Sequence, residues 1–243
     1  MALVIALAFL AAGAVKGVIG FGLPTVAVGG LGALIPPAEA AALMVLPSLV
    51  TNLWQMAAGP ALPMLLRRLW PMLIAIFAGT LGAAWLLAGA GRAAATFALG
   101  GVLVLYALTG FTSFAFALSP AGERILAPLA GAATGALTAA TGVFVLPAAA
   151  YLQALRLERD ALVQALGLTF TASTVALALA LWRDGHLLGA LGDASLLALL
   201  PALAGMAIGR RLRRWLRADI FRRCFYAGLL LLGLYLMLTS LRI

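Results

Sequence analysis

The chain has 243 residues, of which 65% are hydrophobic and only 9% charged, with a formal net charge of +9. Soluble domains carry roughly 25% charged residues, so composition excludes a soluble globular fold, and with it the reading of the positive charge as a nucleic-acid surface. One cysteine, Cys224, and one histidine, His186, leave no internal disulfide, no structural zinc cluster and no bis-histidine haem.

Apolar runs of eighteen or more residues recur along the chain, the mark of a polytopic α-helical membrane protein. The ten-residue polar/apolar alternation of a membrane β-barrel is absent. Charges, prolines and glycines delimit eight apolar blocks, at residues 2–35, 38–58, 69–89, 93–118, 125–155, 161–182, 187–209 and 220–241.

The first block lacks the basic start of a signal peptide and is read as part of the fold. It contains the single lysine of the chain, Lys16, within Gly13-Ala14-Val15-Lys16-Gly17-Val18-Ile19-Gly20-Phe21-Gly22-Leu23-Pro24. An ionisable group inside hydrocarbon is expensive unless it is paired or faces a wet cavity, which marks it as a functional candidate. Two roles are open to Lys16: facing a substrate, or snorkelling to the headgroups from the end of a plain helix. Gly20, Phe21, Gly22 and Pro24 are candidates for the same site. Glycines let the backbone leave its helix, Pro24 favours a new helical start, and freed amides at such a break bind anions. Close packing of two helices on small residues is the alternative use of these glycines.

The second block carries Ser48, Thr51, Asn52 and Gln55. Asn52 lies mid-span, where a buried amide serves either to brace helices or to contact ligand. Glu39, after Pro36-Pro37, reads as an interfacial charge.

The first and fifth blocks, of 34 and 31 residues, would reach roughly 46–51 Å as straight helices. That is too long for one crossing of a ~30 Å core and too short for two, so each predicts a broken or re-entrant helical hairpin. In the fifth block Thr134, Thr138 and Thr141 surround the break, Gln153 ends the block and Pro147 lies at the hairpin tip. The threonine hydroxyls can serve substrate oxygens or bond back to their own helix. The Arg210–Arg223 run, with Trp215, reads as a loop on anionic headgroups, and Trp54, Trp70, Trp85 and Trp182 fall near block ends, as an aromatic belt predicts.

The two long blocks are alike. Gly13-(x)3-Gly17 parallels Gly131-(x)3-Gly135, and Phe21-Gly22-Leu23-Pro24 parallels Phe144-Val145-Leu146-Pro147 at an offset of 123. By that offset Lys16 corresponds to Ala139. Polar clusters then follow in both halves (Thr169, Thr171, Ser173 and Thr174 in the second), and Gly79-Thr80-Leu81-Gly82 parallels Gly205–Gly209. A duplication is expected. If each long block were one span, the arginines would divide 10:5 across the membrane; if each returns to the side it left, they divide 12:3. Cytoplasmic loops concentrate arginine, so the second arrangement is preferred. It leaves three crossings and one hairpin per half, an odd number, which inverts the halves and puts both termini outside.

Two halves, each opened by a glycine-interrupted segment (Gly13–Pro24 and Gly131–Pro147) and continued by three spans, resemble the TauE/SafE sulfite exporter family over essentially the whole chain. The resemblance implies a bacterial inner-membrane exporter of sulfite, organosulfonates or related small anions. Phe21 and Leu23 interrupt the first glycine run, and Val143 and Val145 stand where the first copy has Gly20 and Gly22. That bulkier lining suits an organic anion as well as sulfite.

The sequence therefore predicts an all-α polytopic membrane protein of two inverted-topology repeats, 1–118 and 119–243. Its expected function is secondary transport of a small anion by alternating access, with a non-transporting membrane scaffold subunit as the alternative. An enzyme is not expected, since the apolar blocks offer no acid/base constellation, and neither a cofactor nor a metal is expected. The predicted substrate-binding residues are Lys16, Gly20, Phe21, Gly22, Pro24, Asn52, Thr138, Thr141 and Pro147, with the two hairpin tips meeting near the midplane. Expected partners are the anion, membrane lipids, a proton as coupling ion and a second copy in a homodimer.

Overall fold

A computed structural model of the chain describes residues 2–87, 89, 91–111, 118–187, 193–212, 215 and 218–241. Among these residues there are ten helices longer than one turn and no strand: α1 (Ala2–Ile19), α2 (Leu23–Gly32), α3 (Pro37–Ala57), α4 (Leu62–Leu86), α5 (Arg92–Phe111), α6 (Pro120–Thr141), α7 (Ala148–Ala154), α8 (Arg159–Arg183), α9 (Asp193–Leu212) and α10 (Ala218–Ser240). Seven of them are long and apolar enough to cross a membrane: α1, α3, α4, α5, α8, α9 and α10. Several begin earlier than the apolar blocks. Helix α4 starts at Leu62 and runs through Arg67 and Arg68, because arginine near a helix end extends its stem to the interface and does not break the helix.

Both long blocks break near their glycines. After α1 the chain turns through Gly20 and Gly22, at φ of 91° and 99°, left-handed values that glycine adopts without penalty. Pro24 sits in the first turn of α2, where its missing N–H is no loss. After α6 the chain turns at Gly142 (φ 73°) and runs without helix through residues 143–147 before α7. The two ends of this second hairpin meet: the Leu118 amide donates to the Ala154 carbonyl at 3.3 Å.

Helix contacts recur in a shared register. On α1 and α9, a Cβ added at Gly13, Gly17 or Gly209 would strike the carbonyl of Ala202, Met206 or Ala14 respectively. On α6 and α4, a Cβ at Gly131, Gly135 or Gly79 would strike the carbonyl of Met72, Ile76 or Ala132. The three contacts of one crossing become those of the other by adding 118 along α1 and subtracting 130 along α9. Two further crossings are reciprocal. Gly100 of α5 faces the Gly233 carbonyl and Met237, while Gly233 of α10 faces the Gly100 carbonyl and Val104. On α3 and α8, Asn52 meets Thr174. Small residues let membrane helices approach closely enough for dispersion to hold them where no hydrophobic driving force exists. The glycine-xxx-glycine pairs at 13/17 and 131/135 thus serve packing within the chain.

Phe9, Leu23, Val28, Phe144 and Phe170 lie in the core, so both breaks are enclosed by protein. Trp54, Trp70, Trp85 and Trp182 are exposed, as are Leu3, Leu86, Leu200 and Leu231. This apolar exterior fits lipid as solvent.

Candidate functional site

Lys16 lies one turn before the first break, its side chain facing α3. It is 3% exposed, so it does not snorkel. Its Nζ donates to Thr51 Oγ1 at 2.9 Å and, in a shorter contact, to Asn52 Oδ1. Each acceptor is held in that role by a second bond. The Thr51 hydroxyl proton goes to its own helix, at the Pro47 carbonyl (2.8 Å), leaving only oxygen lone pairs for Lys16. The Asn52 Nδ2 donates to Thr174 Oγ1 at 3.3 Å, which turns its Oδ1 toward the amine. The Thr174 hydroxyl in turn donates to the Phe170 carbonyl at 2.7 Å. The network therefore has a direction, and every group in it that faces Lys16 is a neutral acceptor.

No carboxylate among the described residues pairs with Lys16; the two ion pairs, Arg68–Glu123 and Arg183–Asp184, both lie elsewhere. A buried cation without a counter-charge is costly in a low-dielectric interior, and a negatively charged ligand would relieve that cost.

The first break lies just beyond. The Gly20 carbonyl accepts from Gln55 Nε2 at 2.7 Å, which fixes the turn against α3, and a Cβ at Gly20 would meet open space. The amides of Phe21, Gly22 and Leu23 donate to no acceptor among the described residues. Amides of this kind at the start of a helix carry the positive end of its dipole, which favours negative charge nearby. Phe21 is half-buried against the core, and Pro24 is buried. Gln55 Oε1 and Ser48 Oγ, both on the α3 face that carries Thr51, are buried without a partner among the described residues.

The second break is built differently. The hydroxyl protons of Thr138 and Thr141 go to the Thr134 and Leu137 carbonyls of their own helix, at 2.6 and 2.7 Å. Thr141 Oγ1 also accepts from the Val143 amide (3.2 Å). These two threonines cap and brace α6 and are not bonded into the Lys16 network. Pro147 is half-buried as the residue that opens α7, and the next amide, Ala148, donates to Thr134 Oγ1 at 3.1 Å. Thr141 and Gly142 line a cavity of about 490 Å³ that has an alanine-rich wall and His186 and Asp184 among its lining residues.

The expectation that the two tips meet is corrected. Gly20 bonds Gln55, near the end of α3, whereas Gly142 abuts Ala41, near its start. Fourteen residues of helix separate those positions, roughly 21 Å. The tips flank Asn52 from opposite ends of α3, and α6 runs about one turn further past its glycine pair than α1 does. With that extra turn, the helix-packing register, 118, matches Lys16 to Thr134 and not to Ala139.

Thr51, Gln55 and Thr174 join the Lys16 neighbourhood, and in the sequence they stand only among the two polar clusters. The signal was present: Thr51-Asn52 and Ser173-Thr174 are two hydrogen-bonding pairs 122 apart, the same separation as the Asn52–Thr174 bond. Gln164 is structural. It accepts from the Ala61 amide and donates to the Met56 and Gly59 carbonyls, fastening the α3–α4 turn to α8.

Against this geometry the comparison with known proteins is decisive. A family model described as sulfite exporter TauE/SafE matches residues 5–236. The chain belongs to this family. No curated protein and no solved structure matches it. This TauE/SafE chain is thus a multi-pass membrane protein of a transporter family for sulfite-type anions, and its buried lysine has to be understood in that setting.

Proposed function

We propose that this protein is a secondary transporter of the inner membrane that exports sulfite or a small organosulfonate, with Lys16 and the amides of the first break holding the anion. The observation that carries this reading is a buried amine with no carboxylate partner among the described residues, bonded to Thr51 and Asn52 beside a helix break. Neutral partners leave its charge to be matched by the transported ion. Asn52, Phe21, Gly20, Gly22 and Pro24 shape the place around it, while Thr138, Thr141 and Pro147 set the second tip.

Alternating access between inverted halves, 1–118 and 119–243, completes the proposal. The matched glycine registers, the reciprocal Gly100–Gly233 crossing and the meeting of Leu118 with Ala154 all support it. In an inverted pair the two-fold axis lies in the membrane plane. It would pass where equivalent residues touch each other, at Asn52–Thr174 and Gly100–Gly233, and Lys16 would then lie beside the midplane. With the 12-arginine side inside, both termini face the periplasm.

The test is flux in proteoliposomes loaded with sulfite or sulfoacetate, with acetate as the control. Saturable flux of a sulfur oxyanion is expected, and Lys16→Ala should lower it by about tenfold or more, the equivalent of about 1.4 kcal/mol. Absence of saturable flux for every sulfur anion would end the proposal.

A further inference from the structure

We infer that Lys16 is also the proton-binding site of the transport cycle: it is a neutral amine when the site is empty, takes one proton as the anion binds, and releases it with the anion on the other side. This rests on the transporter reading and goes beyond it by assigning the coupling ion to one atom, Lys16 Nζ.

The geometry favours the neutral form in the empty site. A neutral amine has two N–H bonds and one lone pair, whereas an ammonium has three N–H bonds and no acceptor capacity. The site supplies two acceptors, Thr51 Oγ1 and Asn52 Oδ1. Neither can be replaced by a carboxylate through side-chain rotation, because none is in reach among the described residues. Two N–H bonds are thereby satisfied, and the third position of Nζ has no partner among the described residues. In the empty site that position can be a lone pair at little cost. Filled by a third N–H, it would be a buried charged donor without an acceptor, an arrangement that strongly disfavours the cation. An anion oxygen at that position supplies the missing acceptor and the missing charge together.

The charged groups on the packed elements do not replace that anion. On α9, Arg210 is exposed and lies over the Trp54 ring at 5.7 Å, and Arg211 is exposed beyond it. On α3 the one carboxylate, Glu39, stands in the first turn, at the other end from Thr51. On α8, Asp160 and Arg183 stand at the helix ends, far from Thr174. Arg223 and Cys224 are exposed at the start of α10, and α2 carries no titratable side chain.

The step balances with solvent protons alone. On the loading side, R–NH2, one H+ and one anion A− become R–NH3+ bonded to A−; on the releasing side both leave, and the amine returns to the neutral form. A monovalent anion is then carried with no net charge.

The experiment uses methanesulfonate, a permanent monoanion that cannot itself carry a proton at neutral pH. Labelled methanesulfonate and a trapped pH dye are followed in proteoliposomes whose membrane potential is set with potassium and valinomycin. Proton-coupled movement predicts about one proton per anion and an accumulation ratio that does not change with voltage. Uncoupled movement of one charge would shift that ratio about 50-fold per 100 mV. Lys16→Arg retains a fixed cation, and whatever exchange of labelled for unlabelled methanesulfonate it still supports should run without proton movement. It should abolish net flux with protons, because guanidinium does not deprotonate. Lys16→Gln should carry no protons with whatever flux remains. Saturable wild-type flux that moves no protons and follows the voltage would overturn the inference while leaving the transporter reading intact. Proton movement undiminished in Lys16→Arg would also overturn it. If no sulfonate or sulfite moves at all, the transporter reading fails and the coupling fails with it.

Discussion

Asn52 is the hinge of the polar network, since one carboxamide serves both halves of the chain: Oδ1 to Lys16 and Nδ2 to Thr174. Losing it strands a donor of a buried amine, a penalty of about 1–3 kcal/mol. Losing only the Thr174 hydroxyl removes one interhelical hydrogen bond, which averages about 0.6 kcal/mol in a membrane. Asn52→Ala should therefore lower thermal stability in detergent clearly more than Thr174→Val, and should also suppress flux. Thr174→Val should remain folded and transport at a reduced rate. Equal, negligible effects of both on flux would separate the network from transport. The lysine was legible in the sequence because a lone cation in hydrocarbon stands out against its solvent. Its acceptors were harder to see, since a threonine mid-helix usually bonds back to its own turn, as Thr138 and Thr141 do. What separates Thr51 is its position opposite Lys16 across a helix crossing, and that is a property of packing alone.

At the scale of elements, the α1–α9 and α4–α6 crossings share one glycine register but differ in one respect. The second is clamped at its end by Arg68 and Glu123, bonded at 2.6 and 2.7 Å. The matching positions in the first are Ala198 and Ile5, which cannot pair. The glycines themselves yield a sharp contrast. Gly135→Val would drive its side chain into the Ile76 carbonyl and Thr80 amide, and backbone cannot yield as a side-chain tip can. The expected cost is about 1–3 kcal/mol or more, seen as a lowered unfolding temperature and reduced yield. Gly82→Ala, on the facing helix α4 but with open space around it, should be neutral; if it proved as damaging as Gly135→Val, the crossing would not rest on that contact. The breaks were legible from length and glycine placement, yet their alignment was not. Phe-x-Leu-Pro gives an offset of 123 and the glycine pairs give 118, a conflict that signals about one extra turn in α6. The tip motif alone pairs Lys16 with Ala139, whereas the helix-packing motif pairs it with Thr134. Close packing pins a helix register more firmly than a flexible turn does.

For the molecule as a whole, the decisive issue is whether the second long block crosses the membrane or returns. Twenty-two residues of α6 are enough to reach across a ~30 Å core, so the return depends on residues 143–147 and the short α7. The bond between Leu118 and Ala154 brings the block's two ends together, and the arginine count gives the same result by an independent route. Labelling can test both at once. In a Cys224→Ser background, single cysteines at Gly91, Ala121 and Glu158, all exposed, are treated with a membrane-impermeant maleimide before and after permeabilisation. A returning hairpin predicts that Ala121→Cys and Glu158→Cys label alike, both only after permeabilisation, and that Gly91→Cys labels from outside. A single crossing would separate positions 121 and 158, and that result would remove the odd number of crossings from which inversion follows. Agreement of 121 and 158 with Gly91 on the inside would preserve the inversion and reverse the orientation. In that case arginine would lie on the wrong face in twelve of fifteen places, against the bias that governs membrane insertion. The hairpin and the charge count thus stand or fall by separate outcomes of one experiment.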